Sequence, residues 1–122
     1  LKGLIDISNE NLRLVKDWVK DTDWVDFLAQ DEITISNTSI CLRFSNTILN
    51  ELDVNNQILL EKNIVSILEN ENVAYDIGSY RSAPPGLRIW GGPTINPNDI
   101  KLLLPWLQWA YEDTYKLVKK GN

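Results

Sequence analysis

From Asn96 to the end of the chain the apolar residues repeat at helical spacing. Ile100, Leu103, Leu104, Leu107, Ala110, Tyr111, Thr114, Leu117 and Val118 share one stripe. Asn96 can cap the first orphan amides, Pro97 suits the first helical position, and Lys116, Lys119 and Lys120 suit the negative end of the helix dipole. Pro105 lies inside the pattern and has no amide for the carbonyl of Lys101, so a kink or a distorted first turn is expected rather than a break. A stripe of this length has to bury itself on a comparably long apolar surface, which the rest of the chain must build.

That surface is visible upstream in two other periodicities. Thr38, Ile40, Leu42 and Phe44 alternate with Ser39, Cys41 and Arg43, the pattern of a half-buried strand. Leu87 and Ile89 alternate with Arg88 and Trp90 in a shorter strand that Gly91, Gly92 and Pro93 stop. Leu12, Val15, Trp18 and Val19 predict an amphipathic helix from Ser8 to Asp21, capped by Ser8 or Asn9. Leu60, Ile64, Ile67 and Leu68 predict another from Asn55 to Asn70. The short runs Trp24 to Ala29 and Val73 to Ile77 read as further strands, and Gly78 to Gly86, with Pro84 and Pro85, reads as a shaped loop. Helix, strands, helix, strands, helix over residues 1–122 is the order of a single α+β domain, a mostly antiparallel sheet carrying helices.

Composition removes several functions. There is no His, and Cys41 is the single cysteine, which excludes an internal disulfide, the usual zinc and haem ligand sets, and Ser-His or Cys-His catalysis. A lone thiol suits a reducing compartment, and a cytoplasmic location is expected. The net charge of -5 has the wrong sign for nucleic acid or an anionic membrane surface. No apolar run approaches the roughly 18 to 20 residues of a membrane span. The chain starts at Leu1 and contains no Met, so it reads as a segment of something longer.

Against this acidic background the stretch from Ile77 to Asn98 has no Asp or Glu, yet holds Arg81 and Arg88, half of the arginines. Arginine presents a planar fork of donors that pairs with carboxylate or phosphate, and two such forks beside a Pro-Gly loop suit a small dianion. The structural alternative is a solvated Arg81 and an Arg88 lying over Trp90. Tyr75 and Asp76 could transfer a proton, or be plain strand residues. Ser36, Asn37, Thr38 and Ser39 could bind a ligand, or make turn and capping bonds. Trp106 and Trp109 could form an aromatic platform, though burial against a neighbour is the expected role.

The segment from Val73 to Thr94, followed by Leu104 to Ala110, resembles the C-terminal part of phosphoserine aminotransferases, particularly those of alphaproteobacteria and some methanogenic archaea. Asp23 to Ala29 and Ser36 to Leu42 resemble the matching stretches of that subgroup. The resemblance implies the small C-terminal domain of a fold type I, class V aminotransferase. Such an enzyme uses pyridoxal 5'-phosphate to pass an amino group between glutamate and 3-phosphohydroxypyruvate, on the path to serine.

It further implies that the Schiff-base lysine and most cofactor contacts belong to a large domain outside this chain, so that the chain alone is inert. Its partners would be that large domain and the second subunit of a homodimer. By position, Arg88 matches the arginine on the substrate α-carboxylate and Arg81 the one at the substrate phosphate. Tyr80 stands where better-known branches have His, and can donate a hydrogen bond to phosphate without adding charge. Pro93 stands where small residues are usual. Two alternatives remain open: a class V aminotransferase for a non-phosphorylated acceptor such as glyoxylate, and a stand-alone binding module of the same fold.

Overall fold

A computed structural model describes residues 2–29, 39–92 and 94–120. Ser36, Asn37, Thr38 and Pro93 lie outside the described residues. The elements run α1 (Lys2–Lys20), β1 (Val25–Phe27), β2 (Ser39–Phe44), α2 (Asn46–Glu51), α3 (Val54–Asn70), β3 (Gly86–Trp90) and α4 (Pro97–Lys120). The strands form one antiparallel sheet in the order β1-β2-β3, with Phe44 opposite Val25, and Arg88 opposite Cys41. The fold is α+β.

Strand alternation sets the layers. Ile40, Leu42 and Phe44 of β2 and Leu87 and Ile89 of β3 are buried, while Ser39, Cys41, Arg43 and Arg88 are half-buried and Trp90 is exposed. The buried face meets Leu60, Ile64 and Leu68 of α3 and Ile100, Leu104, Leu107 and Ala110 of α4 in one core, which Val15 and Val19 of α1 join. Helix α4 packs on both α3 and α1. Where it crosses the start of the sheet, Tyr111 stacks flat on the fully buried Trp24 at 4.2 Å, and Trp24 Nε1 donates to Gln108 Oε1 at 2.8 Å. An aromatic ring stacked on one side with its N–H satisfied is a fixed anchor for the long helix.

Several expectations are corrected. Helix α1 starts at Lys2, so Ser8 is a buried helical residue and not a cap. Buried Asn11 instead uses its side-chain amide to hold the turn after β3, donating to the carbonyls of Gly91 at 3.0 Å and Ile95 at 2.8 Å. Helix α3 is capped by Asp53, whose side chain accepts from the Asn56 amide at 2.9 Å. The short α2 has no counterpart in the sequence reading, because six residues with one buried apolar side chain, Ile48, show no period.

Val73 to Ile77 is not a strand. Asn72 and Asp76 both have φ of 56°, a left-handed conformation that breaks an extended run, and only Gly78 makes a single bridge, to Leu87. Helix α4 passes through Pro105 unbroken; that residue is exposed, so the carbonyl left without its donor lies on the solvent side. Leu117 leaves the stripe and is 66% exposed. Among the described residues no helix is long and apolar enough to cross a membrane.

Candidate functional site: an arginine held under a tyrosine

The site grows out of β3. With Leu87 and Ile89 committed to the core, the pleat turns Arg88 and Trp90 to the other face, beside Ser39 and Cys41 of the paired β2. Arg88 is kept in place by its surroundings. Its backbone N–H donates to the Ile77 carbonyl at 2.7 Å, its Nη2 donates to the Asp76 carbonyl at 3.3 Å, and its Cζ lies 5.3 Å from the Trp90 ring. The left-handed turn at Asp76 is what delivers that carbonyl. Tyr80 comes over the guanidinium from the loop, with its ring centroid 4.1 Å from Arg88 Cζ and its hydroxyl 2.9 Å from Ser39 Oγ. A guanidinium between two aromatic faces is oriented by cation-π attraction, and orientation is what bidentate recognition of an anion requires.

The Nε of Arg88 is buried and has no hydrogen-bond partner among the described residues. A buried charged donor without an acceptor costs more than a typical hydrogen bond contributes, which marks the place as one suited to an anion. Arg88 also lines a cavity of about 210 Å³ together with Tyr75, Ile77, Trp90, Asp99 and Leu103.

Arg81 is placed differently. It is exposed, in the turn that the Ala83 amide closes on the Tyr80 carbonyl at 2.9 Å. It follows Tyr80 directly, so its Cα is about 3.8 Å from that of Tyr80. The structure thus brings Tyr80 and Arg88 together and leaves Arg81 on the adjoining loop, facing solvent.

Two residues the sequence reading passed over shape this site. Asp99 of α4 reaches the Arg88 cavity, and Glu61 of α3 accepts three hydrogen bonds from the loop: from Gly86 N at 2.9 Å, Ser79 Oγ at 2.8 Å and Ser79 N at 3.2 Å. The acid-free segment is therefore supplied with a carboxylate from elsewhere in the chain. No local signal marks Glu61, which reads as one more polar residue on an amphipathic helix.

The other candidates separate. Tyr75 is 60% exposed and donates to Asn72 Oδ1 at 2.8 Å. Cys41 is half-buried beside Arg88 in register. Trp106 and Trp109, expected to be buried, are 38% and 46% exposed and meet edge to face at 5.3 Å. They face away because α4 buries Leu104 and Leu107, and positions 106 and 109 lie off that stripe.

No family model matches the chain. It is 44% identical over 112 residues to the phosphoserine aminotransferase of Methanosarcina mazei, a match covering 92% of this chain. It is 41% identical over 111 residues to that of Methanosarcina barkeri, covering 91% of this chain. Its relatives are phosphoserine aminotransferases. The chain spans 28% and 27% of the length of these two relatives. The fold is shared with part of the phosphoserine aminotransferase from Bacillus circulans subsp. alkalophilus, with a TM-score of 0.67 and 17% identity over 88% of this chain and 26% of that one.

Proposed function

We propose that the chain is the small C-terminal domain of an aminotransferase that moves an amino group from glutamate to 3-phosphohydroxypyruvate, giving phosphoserine and 2-oxoglutarate. The observation that carries this reading is the guanidinium of Arg88, oriented by Tyr80 and with a side-chain N–H that has no acceptor among the described residues. Arg88 takes the substrate α-carboxylate in a bidentate pair, and Arg81, on the adjoining loop, takes the phosphate. Tyr80 holds the plane of Arg88 and lends its hydroxyl to the phosphate. Held at both ends, the substrate is confined in position, and this is the domain's share of catalysis.

Pyridoxal 5'-phosphate, which supplies the amino-group carrier and electron sink when bound, does not fit this site as its anchorage. The chain has no lysine between Lys62 and Lys101, so the loop and β3 offer anion contacts and no amine for an aldehyde. On our reading the cofactor's anchorage belongs to a large domain of the same enzyme, the enzyme is a cytoplasmic homodimer, and this domain is inert alone. A non-phosphorylated acceptor such as glyoxylate is the second reading. The solvent-facing position of Arg81 favours it, because Arg88 alone suffices for a single carboxylate.

The test uses the intact protein with glutamate and pyridoxal 5'-phosphate present. Amination of 3-phosphohydroxypyruvate should far outpace that of hydroxypyruvate at equal concentration. Equal rates, or activity confined to glyoxylate, would select the second reading.

A further inference from the structure

We propose that Glu61 is a positioning residue for the anion site: its single carboxylate closes the loop that carries Tyr80 and Arg81 and so keeps Tyr80 on Arg88. The inference rests on the reading of these three residues as substrate contacts. Glu61 belongs to α3, yet its oxygens grip both ends of the loop. Oε1 accepts from Gly86 N at 2.9 Å and from Ser79 Oγ at 2.8 Å, and Oε2 accepts from Ser79 N at 3.2 Å. Ser79 directly precedes Tyr80, and Gly86 opens the strand that carries Arg88 two residues later.

The approach leaves little slack. A Cβ on Gly78 would stand 3.2 Å from Glu61 Oε2, and a Cβ on Gly86 would stand 2.0 Å from the Leu42 carbonyl oxygen. The loop base is thus wedged between α3 and β2 with a carboxylate as its pin. Hydrogen bonds to an ionised acceptor are the stronger kind, and one group making three of them acts as a clamp. From the base the order passes outward: Ser79 fixed, Tyr80 stacked at 4.1 Å on the Arg88 guanidinium, and Tyr80 Oη tied to Ser39 at 2.9 Å.

Glu61→Gln tests this with little change of shape. A glutamine keeps one accepting oxygen, which can still hold the Gly86 amide and the Ser79 hydroxyl, but it turns its NH2 donors toward the Ser79 amide, so the Ser79 N bond is lost and the carboxylate charge that strengthened the other two is gone. In the intact protein, KM for 3-phosphohydroxypyruvate should rise roughly tenfold while kcat stays within about twofold, since the variant loosens binding geometry and touches no reacting atom. Ser79→Ala, which removes only the hydroxyl bond, should raise KM by about two- to threefold and decides the matter if Glu61→Gln does not fold.

An activity-independent readout accompanies the kinetics. The Arg88 Nε–H proton resonance carries the ring-current displacement of Tyr80, and Glu61→Gln should collapse it. An unchanged resonance, or unchanged KM in folded variants, overturns the proposal. If the wild-type protein transaminates neither phosphorylated nor plain keto acids, the functional reading falls, and the resonance still decides whether Glu61 holds Tyr80.

Discussion

Replacing Gly86 with alanine should be among the most damaging single-methyl changes in this chain. Among the described residues no glycine has a positive φ, so the reason is proximity and not backbone freedom. The added Cβ would lie 2.0 Å from the Leu42 carbonyl oxygen, 2.8 Å from Arg43 Cα and 2.9 Å from the Leu42 carbonyl carbon, all of them backbone atoms. A carbon-oxygen contact needs about 3.3 Å, so β3 has to withdraw from β2 by more than about 1 Å where Gly86 faces Arg43. That movement also draws the Gly86 amide off Glu61. Overpacking costs about 1 to 3 kcal/mol. A hydrogen bond to a charged group contributes about 1.5 to 3. The less flexible unfolded chain returns about 0.4 to 1. The net is a loss of about 1.5 to 5.5 kcal/mol, or roughly 5 to 25 °C in Tm for a domain of this size.

Urea denaturation followed by circular dichroism measures it, with Gly3→Ala as the control. Nothing lies within 4 Å of a Cβ at that exposed position in the first turn of α1, so that alanine should stabilise slightly, by up to about 0.5 kcal/mol. Opposite signs for the two alanines support the close packing of β3 on β2. A loss below about 0.5 kcal/mol at Gly86 would refute it.

The other outcomes follow the same logic. Asn11→Ala strands the carbonyls of Gly91 and Ile95 and should cost about 2 to 3 kcal/mol by urea denaturation, with faster amide exchange in the turn after β3. Trp24→Ala should cost about 3 to 5 kcal/mol, whereas Trp106→Ala, on the open side of α4, should stay within about 1 kcal/mol. Burial, then the nearby carboxylates of Asp23, Glu51 and Glu112, pushes the Tyr111 hydroxyl up to about 12. In the unfolded chain it ionises near about 10, so between these values only the folded state keeps the proton. Its contribution is therefore complete below about pH 10 and is lost as pH rises toward 12. Tyrosinate absorbance should show a late-titrating component that is absent in Tyr111→Phe.

The parts of the fold that were legible in the sequence are those whose partner is the core. Strands β2 and β3 and helices α3 and α4 each present one apolar face at a fixed period, and Ile40, Leu42, Leu87 and Ile89 are buried as alternation requires. What was illegible depends on single long-range contacts. A polar residue at position 11 reads as a helix surface until the turn after β3 arrives to be held by it. Glu61 is likewise ordinary until Ser79 and Gly86 close on it. The apolar run from Val73 to Ile77 suggests a strand, but the left-handed turn at Asp76 spends that residue on Arg88. That Arg88 turns away from the core was legible from the alternation of its strand. The ring of Tyr80 above it was not, because nothing local dictates that a loop tyrosine folds back over the strand.

The proposed function rests most directly on the division of labour between the two arginines. Arg81→Ala in the intact protein, assayed for kcat/KM with 3-phosphohydroxypyruvate and with hydroxypyruvate, measures that division. An arginine-phosphate contact contributes about 1.5 to 3 kcal/mol. The ratio of the two kcat/KM values should therefore fall by roughly 10- to 150-fold, with the hydroxypyruvate value itself nearly unchanged. An unchanged ratio, or an equal loss on both substrates, would contradict the assignment of Arg81 to phosphate and leave Arg88 as the binding site of a single carboxylate.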